Sequence, residues 1–413
     1  MLRILDSKQA ERLLTRRAAR LSEAEAVVQP ILEAVRRRGD QALLEYARKF
    51  DALDRPGVAV SRAELDASAR RLSPAFRAAV RTAARNIRAF AKLQLPRPRR
   101  VVVAPGLELG QIVRPLETVA AYIPAGRYPL PSTLLMTVLP AQVAGVKNIC
   151  VASPRAVDEI WGTASLLKVS GLFQMGGAHA IAAFAFGTRT VPRAERIAGP
   201  GNIYVAAAKK LLAGEVGIDF VAGPTEILLI ARDGNPAWIA ADMLAQAEHD
   251  TDASAILLTT SKRLAQAVVK QVELQLATLP TAGVARVAID SNSAVILVGS
   301  LGEAMALANR FAPEHLSIPG RDLLKQVQNA GSVFIGPHST EAAGDYASGP
   351  NHVLPTSGAA RVRGGLSAAD FVKVISTQQL SPAALERLTP AITTLARAEG
   401  LEAHARSAEV RRG

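Results

Sequence analysis

Residues Glu117–Gly126 read ETVAAYIPAG, a short β-branched and apolar run that breaks off at Pro124 and Gly126. It is the first of a series. Downstream, the strand-like runs NICVA (Asn148–Ala152), GLFQM (Gly171–Met175), ERIAG (Glu195–Gly199) and DFVAG (Asp219–Gly223) alternate with longer stretches of helical character, such as STLLMTVLPAQVAGV and NIYVAAAKKLLAG. That alternation is the period of βαβ units and predicts a parallel sheet. A second series begins at EILLIA (Glu226–Ala231) and passes through SAILLTT and AVILVG to SVFIG (Ser332–Gly336). Two consecutive series predict an α/β fold of two Rossmann-like parallel-sheet units, with ligands at the carboxyl ends of their strands. The boundary between them falls near VAGPTEI (Val221–Ile227).

Outward from this centre, the N-terminal third and the end of the chain both read as helical extensions. The tail from GGLSAADFVK onward is polar, and Gly400 fits the residue just past a helix end, which splits the tail into two helices. A tail this short buries little by itself, so it is expected to pack on another domain or subunit.

The chain has 413 residues, 49% of them hydrophobic, enough for two or more cores. Its N-terminal segment lacks the apolar core and cleavage site of a secretory signal, and no apolar run approaches the roughly 18 residues of a membrane span. A cytoplasmic, non-membrane protein is expected. The single cysteine, Cys150, excludes an internal disulfide and multi-cysteine zinc sites, so a metal would be held by His, carboxylate or amide groups. The net charge is +13, and residues 1–100 carry 23 Lys or Arg against 11 Asp or Glu. A nucleic-acid-binding reading can be built on Arg36–Arg38 and Arg97–Arg100, but the basic residues recur along amphipathic helices and aromatics are only 4%. Solvated helix faces explain the charge better, and no nucleic-acid partner is expected.

Few residues carry chemistry. In FAPEHLSI (Phe311–Ile318), Glu314 and His315 stand side by side after Pro313, either as solvated residues of a helix end or as an acid–base pair. In DMLAQAEHD, Gln246 and His249 are three apart on a predicted helix and share a face, which begins a metal site or is merely a polar helix terminus. AAGDYASGPNHVLPTSG is a long irregular loop holding Asp345 and His352. AGPGNIYVAAAKK places Gly199 and Gly201 before a helix but lacks the third glycine of the dinucleotide fingerprint, Tyr204 standing there. The helix N-terminus at Asn202 is still able to receive a phosphate or other polar group.

Taken together, YIPAGRYPLPSTLLM, GGAHAIAAFAFG, GPGN, AGPTE, QAEHD, FAPEHL, GDYASGPNHVLPT and GGLSAADFVK resemble, in the family's order, the histidinol dehydrogenases, from RRGDQALLEYARKFD to EAHARSAEVR. The resemblance implies a zinc enzyme that oxidises L-histidinol via the aldehyde to L-histidine with two NAD⁺, the last steps of histidine biosynthesis. It implies zinc on Gln246, His249, Asp345 and His404, the last donated by the exchanged C-terminal tail of a homodimer partner. Glu314 and His315 become the catalytic pair, and Thr225, Gln246, His249, His315, Asp345, His352, Glu399 and His404 the substrate contacts. Tyr122, His179 and Asn202 match the NAD positions. Two positions depart from the family pattern: His179 stands where Gln is usual and Thr225 where Ser is usual. The implied domains are an N-terminal helical arm (1–20), a substrate and metal domain (21–117 with 225–366), a cofactor domain (118–224) and a helical tail (367–413). A paralogous zinc and NAD dehydrogenase of another polar alcohol is the alternative on the same scaffold.

Overall fold

The computed structural model describes residues 2–9, 13, 21–124, 128–221 and 223–411. The chain opens with strand β1 (Arg3–Asp6), then helices α1 (Leu21–Arg38) and α2 (Asp40–Asp51), a two-residue strand β2 (Ala59–Val60), and helices α3 (Arg62–Arg71) and α4 (Pro74–Gln94). An antiparallel pair follows, β3 (Arg99–Ala104) and β4 (Leu107–Pro115). The first alternating series is β5 (Thr118–Tyr122), α5 (Pro131–Ala144), β6 (Asn148–Ala152), α6 (Asp158–Leu166), β7 (Gly171–Phe173), α7 (Gly177–Phe186), β8 (Arg196–Ala198), α8 (Ile203–Leu212) and β9 (Gly217–Ile218). The second is β10 (Glu226–Ala231), α9 (Pro236–Ala247), β11 (Ser254–Thr259), α10 (Lys262–Leu276), α11 (Ala282–Asn292), β12 (Ala294–Leu297), α12 (Leu301–Phe311), β13 (His315–Ile318), β14 (Ser332–Ile335) and α13 (Glu341–Tyr346). Strand β15 (Val372–Leu380) and helices α14 (Pro382–Ala398) and α15 (Glu402–Glu409) end the chain.

Both series form six-stranded sheets with the same logic. The first has the order β2-β7-β6-β5-β8-β9, parallel except for β2; the second, β1-β12-β11-β10-β13-β14, is parallel throughout. In each the chain starts in the middle, moves one way, and then returns to the other side. The reversal therefore lies between β5 and β8 in one sheet and between β10 and β13 in the other, each leaving a crevice between diverging connections. β10 and β11 are buried at every position, the mark of a parallel strand covered on both faces.

Several expectations are corrected. The N-terminal arm, read as helical, begins as a strand: β1 pairs in parallel with β12 and completes the second sheet, its side chains mostly exposed, so no apolar period announced it. Residues 21–94, assigned with the metal-binding unit, pack instead on the first sheet; Val28, Leu32, Val35, Ala42 and Leu43 share a core with Ala120, Phe184 and Val205, and Val80, Ala83 and Ile87 share one with Val119 and Leu134. Of the run DFVAG, the described residues Asp219, Phe220, Val221 and Gly223 are not in a strand; the sheet ends with the two residues of β9 before them. The tail is not wholly helical, since the nine-residue β15 pairs along its whole length with β4 in a third, antiparallel sheet of order β15-β4-β3. The break at Gly400 is as expected: it follows the end of α14 with φ +76°.

Candidate active site

The candidate catalytic residues gather at the reversal between β10 and β13, but at the amino ends of these strands rather than the carboxyl ends the sequence led us to expect. Glu226 is the first residue of β10 and His315 the first of β13, and the peptide of Glu226 serves both members of the pair. Its N–H donates to Glu314 Oε2 at 2.9 Å, while its C=O lies 3.1 Å from His315 Nδ1. A carbonyl only accepts, so Nδ1 carries the proton and Nε2 keeps its lone pair. Nε2 is buried without a hydrogen-bond partner, 3.8 Å from Asp345 Oδ1. Burial, with repulsion from His249 and His352, pushes the His315 pKa down to about 3, against the bond to Glu226. The ring is a neutral base.

Glu314 is the opposite case. Burial pushes its carboxyl up to about 8, opposed by hydrogen bonds from Thr225 Oγ1 (2.6 Å) and the Glu226 N–H, and helped by the negative charges of Glu226 and Asp345. Two adjacent residues thus titrate far apart, which separates their roles.

The candidate metal donors converge on the same edge. Helix α9 stops at Ala247, capped at Glu248, so His249 lies just beyond it and not on the helix face the spacing predicted. Gln246, in the last turn, is fully buried: its Nε2 donates to Thr225 Oγ1 at 2.6 Å, and Thr225 passes its own hydrogen to Glu314. This relay fixes the amide orientation and leaves Oε1 as a buried acceptor with no partner. His249 Nε2 lies 3.9 Å from Asp345 Oδ2, and ligand atoms of His249, Asp345 and Glu341 lie within 4.8 Å of one another. Burial holds the Asp345 carboxyl up at about 7 and lowers His249. Glu341, which the sequence reading missed, is buried with neither oxygen hydrogen-bonded, and burial followed by Asp345 and Glu314 raises its pKa well above the usual range. An orphaned amide oxygen, a neutral imidazole and two carboxyls starved of a counter-charge fit a divalent cation with N and O ligands. Only its place three-dimensionally beside Asp345 identifies Glu341, because HSTEAAGDY reads as an ordinary helix start.

His352 ties the two sheet units together. Its Nδ1 donates to the Asp345 carbonyl (2.8 Å) and its Nε2 accepts from Thr133 on α5 (3.2 Å), while burial pushes its pKa down to about 4. His404 and Glu399 are not brought to this cluster; both are exposed on the tail, where α15 packs on α14.

At the other reversal, the carboxyl ends of β5 and β8 bring Tyr122 and Gly199 together. Gly199 has φ +125°, and a Cβ there would lie 2.1 Å from the Tyr122 carbonyl oxygen, so glycine is required. The buried Tyr122 hydroxyl accepts the Gly177 N–H (3.0 Å) at the start of α7, and Asn202 caps α8 through the N–H groups of Tyr204 and Val205. His179 lies within this wall. Its Nε2 is 2.8 Å from Asp51 Oδ2, which also takes the Gly176 N–H, and its ring sits against Tyr46 and Phe50.

A strand reversal with a glycine turn and a helix N-terminus on one sheet, and a buried base beside a cation-binding donor set on the other, are the parts of an oxidoreductase that acts on a CH–OH group. Residues 14–412 match the family model of histidinol dehydrogenase. Similar proteins include the histidinol dehydrogenases of Geobacter sulfurreducens, 46% identical over 94% of this chain and 93% of that one, and of Streptococcus mutans, 44% identical over 94% and 93%. A crystal structure of histidinol dehydrogenase from Elizabethkingia anophelis superposes with a TM-score of 0.95 at 37% identity, covering 99% of this chain and 98% of that one. The chain belongs to the histidinol dehydrogenase family.

Proposed function

We propose that this protein oxidises L-histidinol to L-histidinaldehyde and then to L-histidine, using two NAD⁺ and one zinc ion per subunit in a homodimer. The observation that carries the reading is the tautomer of His315: a neutral imidazole whose free Nε2 is buried 3.8 Å from Asp345, while its proton-bearing Nδ1 side faces Glu314, a carboxyl pushed up to about 8. NAD⁺, when bound, supplies the hydride acceptor of both steps, and zinc on Gln246, His249, Asp345 and the partner's tail supplies a positive charge to hold the substrate's nitrogens.

His315 Nε2 takes the hydroxyl proton of histidinol as hydride leaves the carbon, giving the aldehyde, NADH and one proton. Glu314, once deprotonated, takes a proton from water as the oxygen adds to the aldehyde carbon. The proton that His315 took in the first step passes to the aldehyde oxygen and completes the hydrate. His315 Nε2, free again, then accepts a proton from the hydrate as the second hydride leaves, giving the acid, and Glu314 releases its proton to solvent. Gln246 and Thr225 keep Glu314 aimed at this water through the relay already described. His352 and Glu341 line the same edge, and Glu341, 3.4 Å from His315 Nδ1, favours the proton-bearing tautomer. Tyr122 and Asn202 flank the cofactor crevice, and His179 contributes from behind by fixing the start of α7.

The dimer with an exchanged tail is supported by surface chemistry. On the three-stranded sheet Val101, Val102, Val103, Val374 and Ile375 are exposed, and on the tail so are Leu395, Leu401 and Val410. An apolar patch of this kind marks an interface. The test of the whole reading is NADH formation from histidinol, with and without a chelator: two NADH per histidine and a loss of rate on chelation are expected. Turnover indifferent to chelation would remove zinc from the proposal, and absence of turnover would remove the substrate.

A further inference from the structure

We propose that the buried Lys209–Asp219 pair is a positioning device for the cofactor loop, holding Gly199 in register with Tyr122 and with the chain that crosses to the catalytic pair. This rests on the reading that NAD⁺ occupies the crevice between β5 and β8. Lys209 and Asp219 are 1% and 3% exposed, and desolvating two charges is costly enough that such a pair needs a reason beyond stability. The bonds they make supply it. Lys209, two turns into α8, reaches back to donate to the Gly199 carbonyl at 2.9 Å, while Asp219 Oδ2 accepts the Gly199 N–H at 2.7 Å. Asp219 Oδ1 contacts Lys209 Nζ and accepts the Phe220 N–H at 2.7 Å. Both polar groups of one glycine are therefore gripped by opposite charges that also grip each other.

Gly199 is the residue that needs this. Its positive φ and its contact with the Tyr122 carbonyl forbid a side chain, so nothing of its own can fix it, and a shift there would open the crevice between the two strands. Asp219 is equally well placed at its other end. It begins the crossing from β9 to β10, its carbonyl accepts from Arg363, whose guanidinium pairs with Asp370, and six residues on Thr225 bonds Glu314. One carboxylate thus links the loop on which the cofactor rests to the segment that aims the catalytic acid. Both charged heads are buried and spend their bonds on Gly199, Phe220 and each other, so both act through Gly199.

The experiment compares three proteins: the natural sequence, K209Q/D219N, which keeps a donor and an acceptor for Gly199 without net charge, and K209M/D219N, which removes the donor. Each is loaded with zinc, and KM for NAD⁺, KM for histidinol, kcat, calorimetric NAD⁺ affinity and melting temperature are measured. K209M/D219N is expected to raise KM and Kd for NAD⁺ roughly tenfold, with kcat and the histidinol KM changed less than about twofold, and K209Q/D219N to restore most of the affinity. A third variant, Lys209→Arg, retains the charge should the neutral pairs fail to fold, and its longer planar head should also weaken NAD⁺ binding. Folded K209M/D219N with natural NAD⁺ affinity overturns the proposal, as does K209Q/D219N that loses as much affinity as K209M/D219N; should neither fold, Lys209→Arg with natural affinity overturns it. Tyr122→Phe and Asn202→Ala separate the two levels: if they leave NAD⁺ affinity untouched the crevice reading fails, and if they weaken it while K209M/D219N does not, the positioning role alone fails.

Discussion

Glu314 and His315 were legible in the sequence as an acid–base pair, but what sets their protonation apart was not, because it comes from the backbone of one residue of β10, Glu226, that no motif displays. The Glu226 carbonyl fixes the imidazole tautomer and the Glu226 N–H holds the carboxylate, and burial drives the two titrations apart. The half-reactions should separate accordingly. Histidinol oxidation is expected to be flat from pH 6 to 9, since His315, pushed down to about 3, is already neutral throughout. Oxidation of supplied histidinaldehyde should climb as pH rises through about 8, where Glu314 loses its proton and becomes able to activate water. Glu314→Gln should cost roughly 10²- to 10⁴-fold in the aldehyde step and less in the alcohol step, and His315→Asn the reverse in relative terms. Equal losses in both half-reactions, followed by NADH absorbance, would contradict the division. Cys150 gives a second test at this scale. It is buried in β6, burial pushes its thiol up to about 11, and the thiolate is the reactive form, so iodoacetamide at pH 8 should leave the native enzyme unmodified by mass spectrometry and fully active.

Elements were readable where both faces of a strand are covered and obscure where neither is. β10 and β11 announce themselves as unbroken apolar runs, whereas β15 exposes nearly every side chain, so VKVISTQQL shows no alternation, and only its antiparallel partner β4 makes it a strand. The end of α9 was misjudged for a related reason: Gln246 and His249 have helical spacing, but the buried demand on Gln246 and the cap at Glu248 turn the chain out of the helix between them. Asp345, expected on an irregular loop, lies in the last turn of α13; the loop that follows it, from Ala347 to His352, was recognised by its glycines, and its support was not. Asn86 on α4 donates to the Ala347 carbonyl at 2.8 Å, and Gly349, at φ +122°, passes so close that a Cβ would lie 2.8 Å from the Asn86 carbonyl oxygen. Gly349→Ala should therefore strain the loop by roughly 1–3 kcal/mol and displace Asp345 and His352 together. Asn86→Ala, which removes one hydrogen bond worth about 1 kcal/mol, should do so more mildly. Bound zinc and the KM for histidinol are the measurements, and Gly349→Ala with natural zinc content and KM would show that α4 does not hold the loop.

At the scale of the molecule, the two sheets offer opposite edges to one reaction: the first uses the carboxyl ends of β5 and β8, the second the amino ends of β10 and β13, and His352 with Thr133 bridges them. This arrangement leaves open the fourth metal position and the substrate contact expected from Glu399, both of which lie on the tail. His249, Asp345 and Glu341 stand together, with Gln246 tied to the same edge through Thr225 and Glu314, but His404 is exposed on α15, which packs on α14. A tail that leaves Leu395, Leu401 and Val410 exposed offers an apolar face to a partner, and in the proposed dimer a second copy would supply both the cover and the missing imidazole. Each site would then be built from two chains. The consequence is complementation. His249→Ala and His404→Ala homodimers should each be inactive, yet mixing them under conditions that exchange subunits should produce heterodimers with one site lacking both histidines and one site intact. At equal concentrations and random exchange half of the dimers are mixed, so activity should recover toward about a quarter of the natural value. Recovery should track heterodimer content measured by native mass spectrometry, and zinc should return to one ion per mixed dimer. If confirmed exchange brings no activity, each tail serves its own subunit and the exposed face of α15 has another use.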